Sequence, residues 1–169
     1  LAQALLLGRQ YSKITTDYDG LQLASAPAQA SLKTIVATAW QRQGQEDKFR
    51  ASIDQALKAK ADHVPALIEL ARASAQRGDI EGALAGLEKI PGQSAGADEA
   101  LKLRGDLLLY GQRDMDGAMA AYRQALQVNP SYLEGQAAVV QLLLLQGKTD
   151  VAAETLQGLA KAAPGKPQT

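Results

Sequence analysis

The chain has 169 residues, with eighteen basic and eighteen acidic side chains, one histidine and no cysteine. Neither sign of charge gathers into a block. This argues against the basic stripe that displaces counterions from nucleic-acid phosphates and against a basic helix lying on an anionic membrane. Disulfides and thiolate metal sites are excluded within this chain. Alanine and leucine dominate and aromatics make up 4%, a composition that favours helix because these side chains lose little rotamer freedom there. The β-branched and aromatic runs that mark strands are missing, so the expected class is all-α. The most apolar run, 137–145, contains Gln141 and is too short to cross a bilayer. No direct membrane insertion of this segment is expected.

Taken in chain order, residues 1–29 read as a partial or degenerate N-terminal repeat. Leu5-Leu6-Leu7-Gly8-Arg9-Gln10-Tyr11 looks like the middle of a helix pair with a short first helix, and 15–28 receive no assignment. From residue 30 the chain repeats itself. At an offset of 34, Gly44 falls on Gly78, Ile53 on Leu87 and Ala118 on Ala152, with Pro130 on Pro164. At an offset of 35, Ala83 and Leu87 fall on Ala118 and Tyr122, the extra residue being expected in the turn 111–116. Four units follow, 30–63, 64–97, 98–132 and 133–166, with 167–169 as a tail. The start at Leu1 and the end at Thr169 are those expected of a piece of a longer chain.

Each unit reads as two helices and a tight turn. The second unit is the clearest, with a helix over 64–77, a Gly78-Asp79 turn and a helix over 80–90. Glycine can take the left-handed conformation that closes a helix, and Asp79 is placed to cap the next. Gln43-Gly44-Gln45, 111–114 and Gly147-Lys148-Thr149 occupy the same place elsewhere. Asn129-Pro130 and Ala163-Pro164 end second helices, since a residue before proline is pushed out of the α region. Small residues at Ala56, Ala83, Ala118, Ala125 and Ala152 let paired helices approach closely, while Phe49 stands where a small residue is expected.

The slots Gly105, Ala118, Tyr122, Ala125, Leu126 and Pro130, with Trp40 in a large apolar slot of the first unit, resemble the tetratricopeptide signature over about 30–166. The resemblance implies a right-handed α-α superhelix of four repeats plus a partial one. The runs 101–109 and 118–130 further resemble the tetratricopeptide lipoproteins of bacterial exosortase/PEP-CTERM systems. That likeness implies a parent protein in the periplasm or attached to the outer membrane, near exopolysaccharide production and protein sorting. It leads to a non-catalytic scaffold that binds a protein or peptide. A passive spacer within a longer repeat protein and a carbohydrate-associated role are the alternatives.

In such a solenoid the first helices line the concave groove. Helical spacing points Thr34, Thr38, Gln41 and Arg42 inward, then Glu69, Arg72 and Gln76. Further along it points Lys102, Asp106, Leu109 and Tyr110 inward, then Gln141, Leu144 and Leu145. Only Arg72 and Lys102 are basic at the slots where terminal-carboxylate binders of this kind carry Lys, Arg and Asn, which argues against carboxylate clamping. Val139, Val140 and 142–145 are read either as groove floor or as packing surface, and an open repeat end there can self-associate.

The remaining motifs favour structural roles. Gly147-Lys148-Thr149 lacks the first glycine and the preceding strand of a phosphate loop. Asp114-Met115-Asp116 sits at a helix start, where carboxylates cap backbone N–H groups, and Asp17-Tyr18-Asp19-Gly20 lacks the other ligands of a calcium loop. His63 is expected as a solvated linker residue without catalytic partners. No catalytic residue, metal site or cofactor is expected, and the partner is a protein or peptide rather than a nucleic acid.

Overall fold

The computed structural model describes residues 1–162, with side chains through Gly158. Every regular element among them is helical. The chain divides into two compact units, residues 1–90 and 91–169.

The first unit opens with α1 (Ala2–Leu7) and α2 (Tyr11–Tyr18), followed by α3 (Ala26–Arg42), α4 (Glu46–Ala59), α5 (Val64–Gln76) and α6 (Ile80–Leu87). Successive helices pair, α3 with α4 and α5 with α6, and α5 also packs on α3. One apolar cluster joins Ala37, Phe49, Ile53, Ala56, Ala66 and Ala73, with Trp40, Leu57 and Leu70 packed against it. Phe49 is completely buried there, and the alanines opposite supply the room its ring requires. A second cluster sets Ile14 of α2 against Val36 and Ala39 of α3.

Residues 19–25, unassigned from sequence, are a tied-down connection. The buried Lys33 ammonium donates to the Asp19 carbonyl, and Trp40 Nε1 donates to Asp19 Oδ1 at 3.3 Å. Gln29 accepts from the Leu23 N–H at 2.6 Å and donates to Gln22 at 3.1 Å. α3 therefore begins at Ala26, with proline in its first turn, ahead of the residue-30 boundary read from the repeat.

In the second unit, α7 (Ala97–Asp106) runs on into a π turn over Leu107–Gly111, then come α8 (Met115–Val128), α9 (Leu133–Leu145) and α10 (Thr149–Ala162). Its core gathers Leu109, Ala118, Met119, Tyr122, Ala138, Val139, Val140, Leu142, Leu143 and Ala152. Each large aliphatic side chain so buried contributes about 1.5–3 kcal/mol over its exposed state. Val139, Val140, Leu142 and Leu143 thus pack inside the unit, whereas Leu144 and Leu145 are exposed.

The turns within the helix pairs share one closure. Gln45, Asp79 and Lys148 each donate a backbone N–H to the carbonyl five residues back, Trp40, Ser74 and Leu143, at 2.9–3.0 Å. Gln10 does the same to Leu5. The left-handed residue inside each closure is Gly44, Gly78 and Gly147, and Arg9 between α1 and α2. Asp114 instead reaches six residues back, to Leu108, and its left-handed residue is Arg113, at φ 59°. The additional residue of this pair is therefore taken up in the π turn, ahead of the 111–116 turn where the repeat alignment suggested it.

Helix starts carry the expected caps. Asp79 and Asp114 accept at 2.9 Å from Gly82 N and Gly117 N, each satisfying an orphan donor of a first turn. α6 stops at Leu87, three residues short of the sequence expectation, and Ile90 N–H closes a turn onto the Leu87 carbonyl. His63 corrects an expectation too. It is buried at the start of α5 rather than solvated, and its backbone carbonyl accepts from the N–H groups of Ala66 and Leu67. Burial, then Lys60, lowers the imidazole pKa below its ordinary range, with Asp62 acting weakly in the opposite direction. The expected helix end at Ala163-Pro164 and the lysine at 166 lie outside the described residues, and the side chain of Lys161 lies beyond those described.

Candidate functional site

Each unit presents a pocket between the first helices of neighbouring pairs. In the first unit, α3 supplies Thr38, Gln41 and Arg42, and α5 supplies Glu69, Arg72 and Gln76, around about 400 Å³. These side chains recur at helical spacing, so one face of each helix projects them together. Gln41 Nε2 donates to Gln76 Oε1 at 3.3 Å, bridging the two helices, and Arg72 Nε lies 3.9 Å from Glu69 Oε1. Thr34 is not in this pocket. It is buried and its hydroxyl donates to the Ala30 carbonyl at 2.8 Å, one turn back on its own helix.

In the second unit, a pocket of about 330 Å³ is lined from α7 and the π turn by Lys102, Asp106, Leu109 and Tyr110. α9 adds Glu134, Ala137, Ala138 and Gln141, and Tyr122 closes the floor from α8. The Asp106 carboxylate uses both oxygens, Oδ2 taking the Lys102 ammonium at 2.7 Å and Oδ1 the Tyr122 hydroxyl at 2.9 Å. Burial first, and the Asp106 charge next, drive the Tyr122 phenol well above its ordinary pKa. Gln141 Nε2 donates to the Tyr110 hydroxyl at 3.2 Å, and the Tyr110 ring stands 64% exposed on the rim.

Of the residues that helical spacing pointed inward, Thr38, Gln41, Glu69, Arg72 and Gln76 meet in the first pocket. Lys102, Asp106, Leu109, Tyr110 and Gln141 meet in the second. Glu134 was missed, although it precedes Ala137 by three residues and Gln141 by seven, a spacing that puts all three on one helix face. Tyr122, a slot of the repeat signature, is both core and pocket floor. The other chemically suggestive residues are taken up by the fold. Asp17 pairs with Lys13 at 2.7 Å, Asp19 holds Trp40, and Asp114 caps α8. No group of three or more metal-ligating side chains gathers among the described residues, and none of their helices is long and apolar enough to cross a membrane.

Paired helices close through a left-handed turn, and the first helices of neighbouring pairs pack together within each unit. Residues 109–168 match the family model of the tetratricopeptide repeat. The crystal structure of MamA superposes with a TM-score of 0.67 at 12% identity, over 95% of this chain and 93% of that one. The chain has the tetratricopeptide-repeat fold. A tetratricopeptide repeat protein from Parabacteroides merdae gives a TM-score of 0.61 at 22% identity over 80% of this chain, which spans 52% of that protein. MamA residues 41 to end from Desulfovibrio magneticus give 0.58 at 17% identity, over 80% of this chain and 78% of that one. No curated protein matches the sequence. Tetratricopeptide folds commonly serve as protein-interaction scaffolds, and at these identities the structural likeness speaks for the fold alone.

Proposed function

We propose that the chain is a non-catalytic scaffold that holds a protein or peptide segment on the inner faces of its first helices. The observation that carries this reading is the use of polar side chains at the two pockets. Thr38, Gln41, Glu69, Arg72 and Gln76 in one unit, and Lys102, Asp106 and Gln141 in the other, line cavities of about 400 and 330 Å³ between first helices. Within each unit, a polar pocket between neighbouring first helices suits a segment that is read one side chain at a time. The setting we assign is a bacterial envelope assembly of the exopolysaccharide and PEP-CTERM sorting type, on the resemblance carried by 101–109 and 118–130.

The test is cross-linking in the native host, with a photo-reactive residue at Arg72 or Tyr110 of the full-length parent. The expected result is one cross-linked protein, lost when Glu69, Arg72, Lys102 and Asp106 are charge-reversed. A parent that is needed by the cell yet yields no adduct at either position is a spacer, and the scaffold reading then fails. Fractionation of the same cells tests the setting, since a parent recovered outside the envelope contradicts it.

A further inference from the structure

We propose that the α7–α9 pocket recognises a basic side chain of the bound segment, arginine in preference to lysine; this rests on the scaffold reading above and names what that site selects. One lysine faces two carboxylates in the lining. The Lys102 charge is already taken by Asp106, whose second oxygen is occupied by the Tyr122 hydroxyl. Glu134 is exposed on α9 and lines the same pocket, so the cavity keeps one net negative charge at its mouth.

The rest of the lining matches a long cationic side chain. Leu109, Ala137 and Ala138 offer an apolar wall for an aliphatic stem, which such side chains lay along apolar surface while the head stays at the rim. Gln141 spends its amide N–H on Tyr110 and keeps its carbonyl oxygen as an acceptor. The Glu134 carboxylate and the exposed Tyr110 ring line the same pocket. A planar guanidinium can bond two acceptors at once and stack on an aromatic face, where an ammonium offers only a compact charge. The matching pocket of the first unit has the opposite balance, with Arg42 and Arg72 against Glu69. Arg72 and Asp106 stand 34 residues apart at the same repeat position, so the sign of that slot is reversed between the two pockets.

The experiment uses the ¹⁵N-labelled 169-residue chain at low salt, titrated with acetyl-Ala-Arg-Ala-amide and with its lysine and glutamate counterparts. The expected result is shifts centred on Lys102, Tyr110, Glu134 and Gln141, strongest with arginine and absent with glutamate. Glu134→Gln, at an exposed position, should weaken the arginine peptide by up to about fivefold, the upper end for an exposed ion pair. No shift with the arginine peptide, equal shifts with glutamate, or an unchanged affinity in Glu134→Gln each overturn the proposal. These outcomes are separable from those of the host cross-linking. A captured partner whose segment over Tyr110 carries no basic residue, with capture indifferent to Glu134→Gln, leaves the scaffold standing and removes this specificity.

Discussion

At the scale of single residues, the second unit turns on one exchange of volume. A Cβ placed on Gly105 would lie 2.3 Å from Cε1 of Tyr122, so the bare backbone of α7 is what admits the ring. Gly105→Ala should cost about 1–3 kcal/mol by overpacking, measured by urea unfolding. Tyr122→Leu in the same background should recover part of the loss, because leucine fills the equivalent slot at Leu87. The buried phenol adds a pH signature. Its pKa is raised in the fold, so the neutral form is favoured there and the stability it provides is intact below about pH 10, the unfolded value. That stability is lost as pH rises further, and Tyr122→Phe should remove this alkaline component. His63 has the opposite sense. Its pKa is lowered by burial, so its contribution is present above about pH 6.5 and declines as the solution is acidified below that. A variant in which His63 is replaced by Gln should lose less stability than the parent between about pH 7.5 and 5.5, and equal losses would show that this imidazole is not what titrates.

At the scale of elements, turns and caps were largely legible, because their chemistry is local. Glycine closes a helix through positive φ wherever it stands, and an aspartate just before a helix caps it. Asp79 and Asp114 share a further feature, a glycine three residues on whose missing Cβ leaves space for the carboxylate. A Cβ on Gly82 or Gly117 would come within 2.2 Å of a cap oxygen. Asp114→Ala should therefore cost about 1 kcal/mol, seen as a lower urea midpoint with the slope unchanged. The π turn was not legible. Leu107-Leu108-Leu109 is apolar throughout, and a run without phase cannot show where a residue has been inserted. Its consequence is that Arg113 takes the left-handed conformation that glycine takes at 44, 78 and 147. Arg113→Gly should stabilise the chain by up to about 1 kcal/mol, because the steric penalty of a left-handed Cβ is removed and is offset only partly by glycine's greater freedom when unfolded. Residues 19–25 escaped the sequence for a different reason. Their structure is set by Lys33, Trp40 and Gln29, which lie outside the segment, and no local pattern announces those bonds.

At the scale of the whole molecule, the repeat period located both pockets and spacing supplied most of their walls, since a period in sequence becomes a recurring face in space. What spacing could not supply was the fate of each polar group. Thr34, expected to face inward, is buried instead, its hydroxyl satisfied by the Ala30 carbonyl one turn back, an option open to any helical threonine. Glu134 stands in the first turn of α9, two turns ahead of Gln141, where the inward-facing set expected for that helix began. The same repetition gives each unit a core of its own. Phe49 and Ile53 anchor one, and Tyr122 and Leu142 the other. In a repeat array, stability is a sum of local terms, so damage need not spread evenly. Tyr122→Ala removes the largest fully buried side chain among the described residues and the hydroxyl that holds Asp106, and a core aromatic truncation of this kind costs about 3–5 kcal/mol. Hydrogen exchange should then show protection lost along α7, α8 and α9 while amides of α3 and α5 keep theirs. A uniform fall across residues 1–162 would mean instead that the chain opens as one cooperative body, and the two cores would not be separate sources of stability.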